Sequence, residues 1–268
     1  METIHILGYL AALAIGVVLG LMGGGGSIMA VPIFTYLFHI SPVATTTYSL
    51  FVVGTSASVG AVKNFKKGLI DFKIALVFAI PAFVAVYIAR RFIVPIIPEK
   101  LISVGGVVLT RNMSIMLLFA ILMLVASLSM IFKKERAVED KIMTLYNYPL
   151  MVGGGVIIGV LTGIVGIGGG FLIIPVLVLL VKLPMKKAVA TSLFIIALKS
   201  LIGFSGDLGN LEINWTFLSV FTLISIAGIF LGVYLSSFVK CERLKRSFGW
   251  FVLIMAISIF CKEVGNQL

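Results

Sequence analysis

The chain has 268 residues, 60% of them hydrophobic and only 12% charged, with a formal net charge of +11. A water-soluble domain carries about 25% charged residues, so the composition excludes one, and the apolar runs are too continuous for the two-residue alternation of a lipid-facing barrel. The expected class is an all-α polytopic membrane protein, with the positive excess placed in short loops beside the bilayer and no nucleic acid as partner.

The apolar segments come in two sets of five. The first set is A (about 4–22), B (27–39), C (43–62), D (72–93) and E (113–132). The second is A′ (149–165), B′ (170–182), C′ (186–205), D′ (214–239) and E′ (246–261). A bilayer crossing needs roughly 20 residues, which A, C, D and E approach or exceed. The amino terminus lacks the basic stretch of a secretion signal, so A is expected to be a retained span. Cys241 and Cys261 have no metal or redox spacing and are expected to be free thiols. Residues 1–132 and 149–268 then form two repeats joined by a polar cytoplasmic linker, 133–148.

The two sets are copies. Gly16, Gly20, Gly23, Gly25, Gly26, Pro32, Ser49, Leu50, Phe51 and Gly60 recur 143 residues later as Gly159, Gly163, Gly166, Gly168, Gly169, Pro175, Ser192, Leu193, Phe194 and Gly203. Loop charge sets the direction of each copy. The C–D loop holds Lys63, Lys66, Lys67 and Lys73, whereas the matching C′–D′ loop holds Asp207 and Glu212 and no lysine or arginine. Basic loops stay in the cytoplasm, so the repeats are expected to be inverted, with both termini outside a prokaryotic plasma membrane. The D–E loop dissents: Arg90, Arg91, Lys100 and Arg111 outweigh Glu99 in a loop that this scheme places outside.

B and B′ are about 13 residues each, near 20 Å as helix against a hydrocarbon core of roughly 30 Å. They are therefore read as the return arms of two hairpins entering from opposite faces, with tilted full spans as the alternative. The tips are Gly23, Gly24, Gly25, Gly26 and Ser27 in one repeat and Gly166, Gly168, Gly169 and Gly170 in the other. Non-helical backbone at membrane depth persists only against protein or a water-filled cavity. The first amides of a helix lack internal partners and carry partial positive charge, so two such tips suit an anion. The alternative is that the glycines only let helices pack closely.

Segments C and C′ add hydroxyls at Thr46, Thr47, Ser49, Thr191 and Ser192, which either donate to the anion or bond the preceding turn. Lys199 is the one basic residue well inside an apolar run and is expected either to serve the site or to reach the outer headgroups. No acidic residue lies inside a span, and there is no catalytic or metal-ligating cluster at depth. No enzyme activity, cofactor or metal is expected.

The paired glycine turns with their following prolines (Gly23–Pro32 and Gly166–Pro175), and the stretches Tyr48-Ser49-Leu50-Phe51 and Thr191-Ser192-Leu193-Phe194, resemble the TauE/SafE family of sulfite and organosulfur-anion exporters, also described as toluene-sulfonate uptake permeases. The resemblance covers about residues 5–260. It implies an inner-membrane secondary transporter of inverted repeats for a small sulfur-containing anion: sulfite, a sulfonate or sulfoacetate. The family often has histidine where this chain has Asn64, ahead of Gly68-Leu69-Ile70-Asp71, so a protonation role there is not carried over. Export needs no coupling ion, since an anion leaving along an inside-negative potential releases roughly 2.3 kcal/mol per 100 mV. Rocking of one half against the other is the expected motion. The partners expected are a small anion and the lipid bilayer, with homo-oligomerisation left open. The rival readings are a non-transporting membrane scaffold or assembly factor, and a transporter of another small organic anion.

Overall fold

The computed structural model describes residues 2–98, 100–104, 107–132, 148–165, 170–179, 181, 183–207, 213–236, 238 and 241–265. The first repeat comprises α1 (Glu2–Met22), α2 (Gly26–Pro32), α3 (Pro42–Lys66), α4 (Phe72–Ile88), a one-turn α5 (Val94–Ile96) and α6 (Arg111–Phe132). The second comprises α7 (Tyr148–Val165), α8 (Gly170–Leu179), α9 (Met185–Asp207), α10 (Trp215–Leu235) and α11 (Cys241–Gly265). Three helical stretches, Phe72–Ile93, Met185–Asp207 and Trp215–Leu235, are long and apolar enough to cross a bilayer, and shorter apolar helices accompany them. The expected helical membrane class stands. One addition is a short antiparallel pair in the D–E connection, β1 (Lys100–Val104) and β2 (Val107–Thr110), with Val104 opposite Val107.

Segment B is less regular than a single helix. Pro32 lies inside α2, and the chain continues as a π-helical turn, Ile33–Leu37. Proline has no N–H and crowds the preceding turn, and the wider i→i+5 turn takes up the misfit. A second π-helical turn, Ala89–Ile93, extends α4.

Close helix contacts are made through glycine. A Cβ at Gly16 would lie 1.9 Å from the Ser225 carbonyl oxygen, and one at Gly232 would lie 2.2 Å from that of Val17. Gly16 meets Ser225 and Gly20 meets Ile229, so α1 and α10 advance together and run parallel. Gly155, Gly159 and Gly163 of α7 meet Phe78, Ala82 and Ala89 in the same sense, so α7 runs parallel to α4 and its π turn. The α3–α9 seam is different. Gly54 meets Ser200, Gly60 meets Leu193 and Gly203 meets Leu50, so one number falls as the other rises and the helices are antiparallel.

The offset of 143 reappears in the hydrogen bonds. Phe38 N donates to Ile33 O and Ile40 N to Phe34 O. Val181 N donates to Val176 O and Leu183 N to Leu177 O at the matching place. Asp71 caps α4 by accepting from Ile74 N, and Asn214 caps α10 by accepting from Phe217 N. Asp71 N is bonded to the Thr191 hydroxyl across the seam, and Asn214 N to the Tyr48 hydroxyl.

Candidate membrane-embedded binding site

The first glycine tip forms because α1 ends in a residue that must turn left-handed. Gly23 has φ +69, and its N–H still reaches back to Leu19 O at 2.7 Å. A side chain would strain that conformation. Gly25 caps α2 without a side-chain bond, while Ser27 Oγ returns to Gly24 O at 2.8 Å. Gly26 packs on its own hairpin partner, since a Cβ there would come 2.7 Å from Ile15 O.

The second repeat meets this tip directly. A Cβ on Gly170, the first residue of α8, would lie 2.7 Å from Gly24 Cα and 2.3 Å from Ile196 Cδ1. Glycine at 170 is what lets the starts of α2 and α8 approach. Ser192 joins them, its hydroxyl 2.9 Å from Val189 O and 3.2 Å from Gly23 O. Gly166, Gly168 and Gly169 lie outside the described residues.

Lys199 does not reach the headgroups. It is 1% exposed, and Nζ donates to Thr162 Oγ1 at 2.8 Å. Thr162 sits one turn before the second tip in sequence, so Lys199 extends the cluster of Gly23, Gly24, Gly170 and Ser192 along α9. Its repeat mate Ser56 instead donates to Ser225 Oγ at 3.0 Å. The remaining hydroxyls separate. Thr191 is engaged with Asp71 N. Thr46 and Ser49 are buried, Ser49 Oγ without a hydrogen-bond partner among the described residues. Thr47 donates to Asp207 Oδ2 at 2.7 Å, at the far end of α9 from Ser192.

That end holds a group which loop counting misplaced. Arg90 is a helical residue in the π turn after α4, and its Nη1 donates to Asp207 Oδ2 at 2.6 Å. Their side chains are 7% and 14% exposed. The dissenting D–E loop therefore loses one of its positive charges to a buried pair. The sequence signal was present, because segment D extends to residue 93 and so contains Arg90. The acidic partner, 117 residues away, could not be read from it.

Comparison with known proteins gives a consistent answer. The model of the sulfite exporter TauE/SafE family matches residues 8–259. A probable membrane transporter protein of Xylella fastidiosa (strain Temecula1) is 27% identical, with 93% of this chain aligned to 92% of the relative. The probable membrane transporter protein YunE of Bacillus subtilis is 26% identical, with 97% and 95% covered. A probable membrane transporter protein of Methanocaldococcus jannaschii is 35% identical over a shorter stretch, 41% of this chain and 43% of its own length. No solved structure matches.

Proposed function

This chain belongs to the sulfite exporter TauE/SafE family, and we propose that it carries a small sulfur-containing anion of the sulfite, sulfonate or sulfoacetate class across the membrane, in the outward direction. The observation that carries this reading is the approach of Gly170 to Gly24, which brings the starts of α2 and α8 together beside Ser192, with Lys199 seven residues further along α9 and bonded to Thr162. Unpaired amides at helix starts favour negative charge. Lys199 adds an amine whose remaining N–H groups have no partner among the described residues. The anion would exchange its hydration shell for these donors.

Two further features support an inverted-repeat carrier. The hydrogen-bond pairs recur at the sequence offset, and the repeat mates α3 and α9 cross antiparallel, as a two-fold axis in the membrane plane requires. Exposed Lys66, Lys67, Lys73, Lys186 and Lys187 at the Asp71 end of their seam support a cytoplasmic setting for that end.

Proteoliposomes loaded with sulfite and given an inside-negative potential should release it, and taurine or sulfoacetate should compete. Absence of transport of every sulfur anion tried would sink the reading in favour of a scaffold. Competition by carboxylates alone would shift it to another organic anion. Lys199→Gln should raise the half-saturating sulfite concentration about tenfold, the loss of one buried hydrogen bond. An unchanged value would leave Lys199 as a strut to Thr162.

A further inference from the structure

The guanidinium of Arg90 is only partly used. Nη1 is bonded to Asp207, but Nε and Nη2 are buried and have no hydrogen-bond partner among the described residues. Nε–H and one Nη2–H point the same way and form the side edge of the guanidinium, the fork that accepts two oxygens of one oxyanion. A buried donor left unpaired is costly, and more so where lipid replaces water. The setting is otherwise built: Thr47 and Arg90 hold the same oxygen of Asp207. Arg111 gives a contrast. It is half-buried and donates from Nη1 to a backbone carbonyl, Ile97 O, at 3.4 Å, and of its nitrogens only Nε is buried and unpartnered among the described residues, so it presents no free two-donor edge. The position matching Arg90 in the second repeat is Val233, buried and apolar, so the fork has no counterpart at the other end of the seam.

We propose that the free edge of Arg90 is a second oxyanion-binding station, at the Asp207 end of the α3–α9 seam and separate from the glycine tips, which binds the sulfite or sulfonate group of the substrate side-on. Asp207 and Thr47 are positioning residues that keep the guanidinium turned and its fork clear. In the conformation described here the edge is sealed from the surface, so the anion reaches it as this end of the seam separates. The station thereby gives the open end an energetic partner that the closed end lacks. The inference rests on the sulfur-anion reading for the identity of its ligand, not for the geometry.

The test uses the full chain in detergent and in proteoliposomes. Gly206→Cys supplies a reporter beside Asp207, where a Cβ meets nothing nearer than Tyr87 Cδ2 at 4.0 Å. Its alkylation rate should change saturably with sulfite or sulfate, by about threefold or more, and not with chloride. The same reporter in an Arg90→Lys background should be indifferent to both oxyanions, because lysine keeps the pair with Asp207 but has no fork. In proteoliposomes Arg90→Lys should raise the half-saturating sulfite concentration about tenfold. A reporter that ignores every oxyanion, or Arg90→Lys transporting with the wild-type half-saturation, overturns the station and leaves Arg90 as a structural partner of Asp207. Wild-type protein that transports no sulfur anion while its reporter responds to sulfite sinks the transport reading and keeps the station.

Discussion

The two ends of the α3–α9 seam start from matching positions and finish differently. At the Asp207 end, Phe51, Phe204 and Trp215 pack together, with ring centroids 4.9 to 6.1 Å apart, and the Arg90–Asp207 pair lies alongside with Thr47. At the Asp71 end the corresponding residues are Phe194, Ala61 and Phe72, and these line an apolar cavity of about 330 Å³. Alanine standing where the other end has phenylalanine leaves the space unfilled. The charged set has no equivalent either: Asn64, Val233 and Ala190 occupy the positions matching Asp207, Arg90 and Thr47, and Asn64 bonds Gly60 O in its own helix. Duplication fixed the backbone and its caps at both ends. The side chains then closed one end by charge and aromatic packing and left the other hollow.

The comparison can be broken first at its charged end. Asp207→Asn strands Arg90 as an uncompensated buried cation and should cost about 3–5 kcal/mol, read as a fall in the detergent melting temperature. The mirror change, Asn64→Ala, should cost far less; equal losses would mean that the pair contributes no asymmetry. Next come the features the two ends share. Asp71→Ala and Asn214→Ala each remove a helix cap and should each cost about 1 kcal/mol. A large disparity between them would show that the caps are not equivalent despite their matched geometry. The smallest effect on stability belongs to Ala61→Phe, which copies Phe204 into the hollow end. It should change stability by less than about 1.5 kcal/mol, because the added ring enters existing space. It should also slow alkylation of a Ser58→Cys reporter in the cavity wall about tenfold. Unaltered alkylation would show that the two places are not structurally equivalent.

Much of this was legible in the sequence, and for physical reasons. Repetition of glycine, proline and the Ser-Leu-Phe triplet at one spacing exposed the duplication, because close packing and tight turns leave few alternatives to glycine. Loop charge predicts that C and C′ run in opposite directions, and the antiparallel crossing of α3 and α9 is compatible with that expectation. Side-chain pairing across the fold was not legible. Thr47 and Ser49 are two residues apart on one helix, yet Thr47 bonds Asp207 while Ser49 Oγ has no partner among the described residues. The β1–β2 pair does carry a sequence signal: residues 101–104 and 107–109 are rich in Leu, Ile and Val about a Gly105-Gly106 pair, a familiar hairpin pattern, but the apolar content of the surrounding helices masks so short a strand pair.

The glycine seams carry one more consequence. Gly16 and Gly20 of α1 fit only against the backbone of α10, some 200 residues later, and α4 finds its parallel companion in α7. Each copy thus lacks the surface that completes its own first and fourth helices and borrows it from the other. Residues 1–132 on their own would leave the glycine faces of α1 and α4 without the helices they pack against. Severing the gene within 133–147 should yield two pieces that are unstable apart and assemble only when made together.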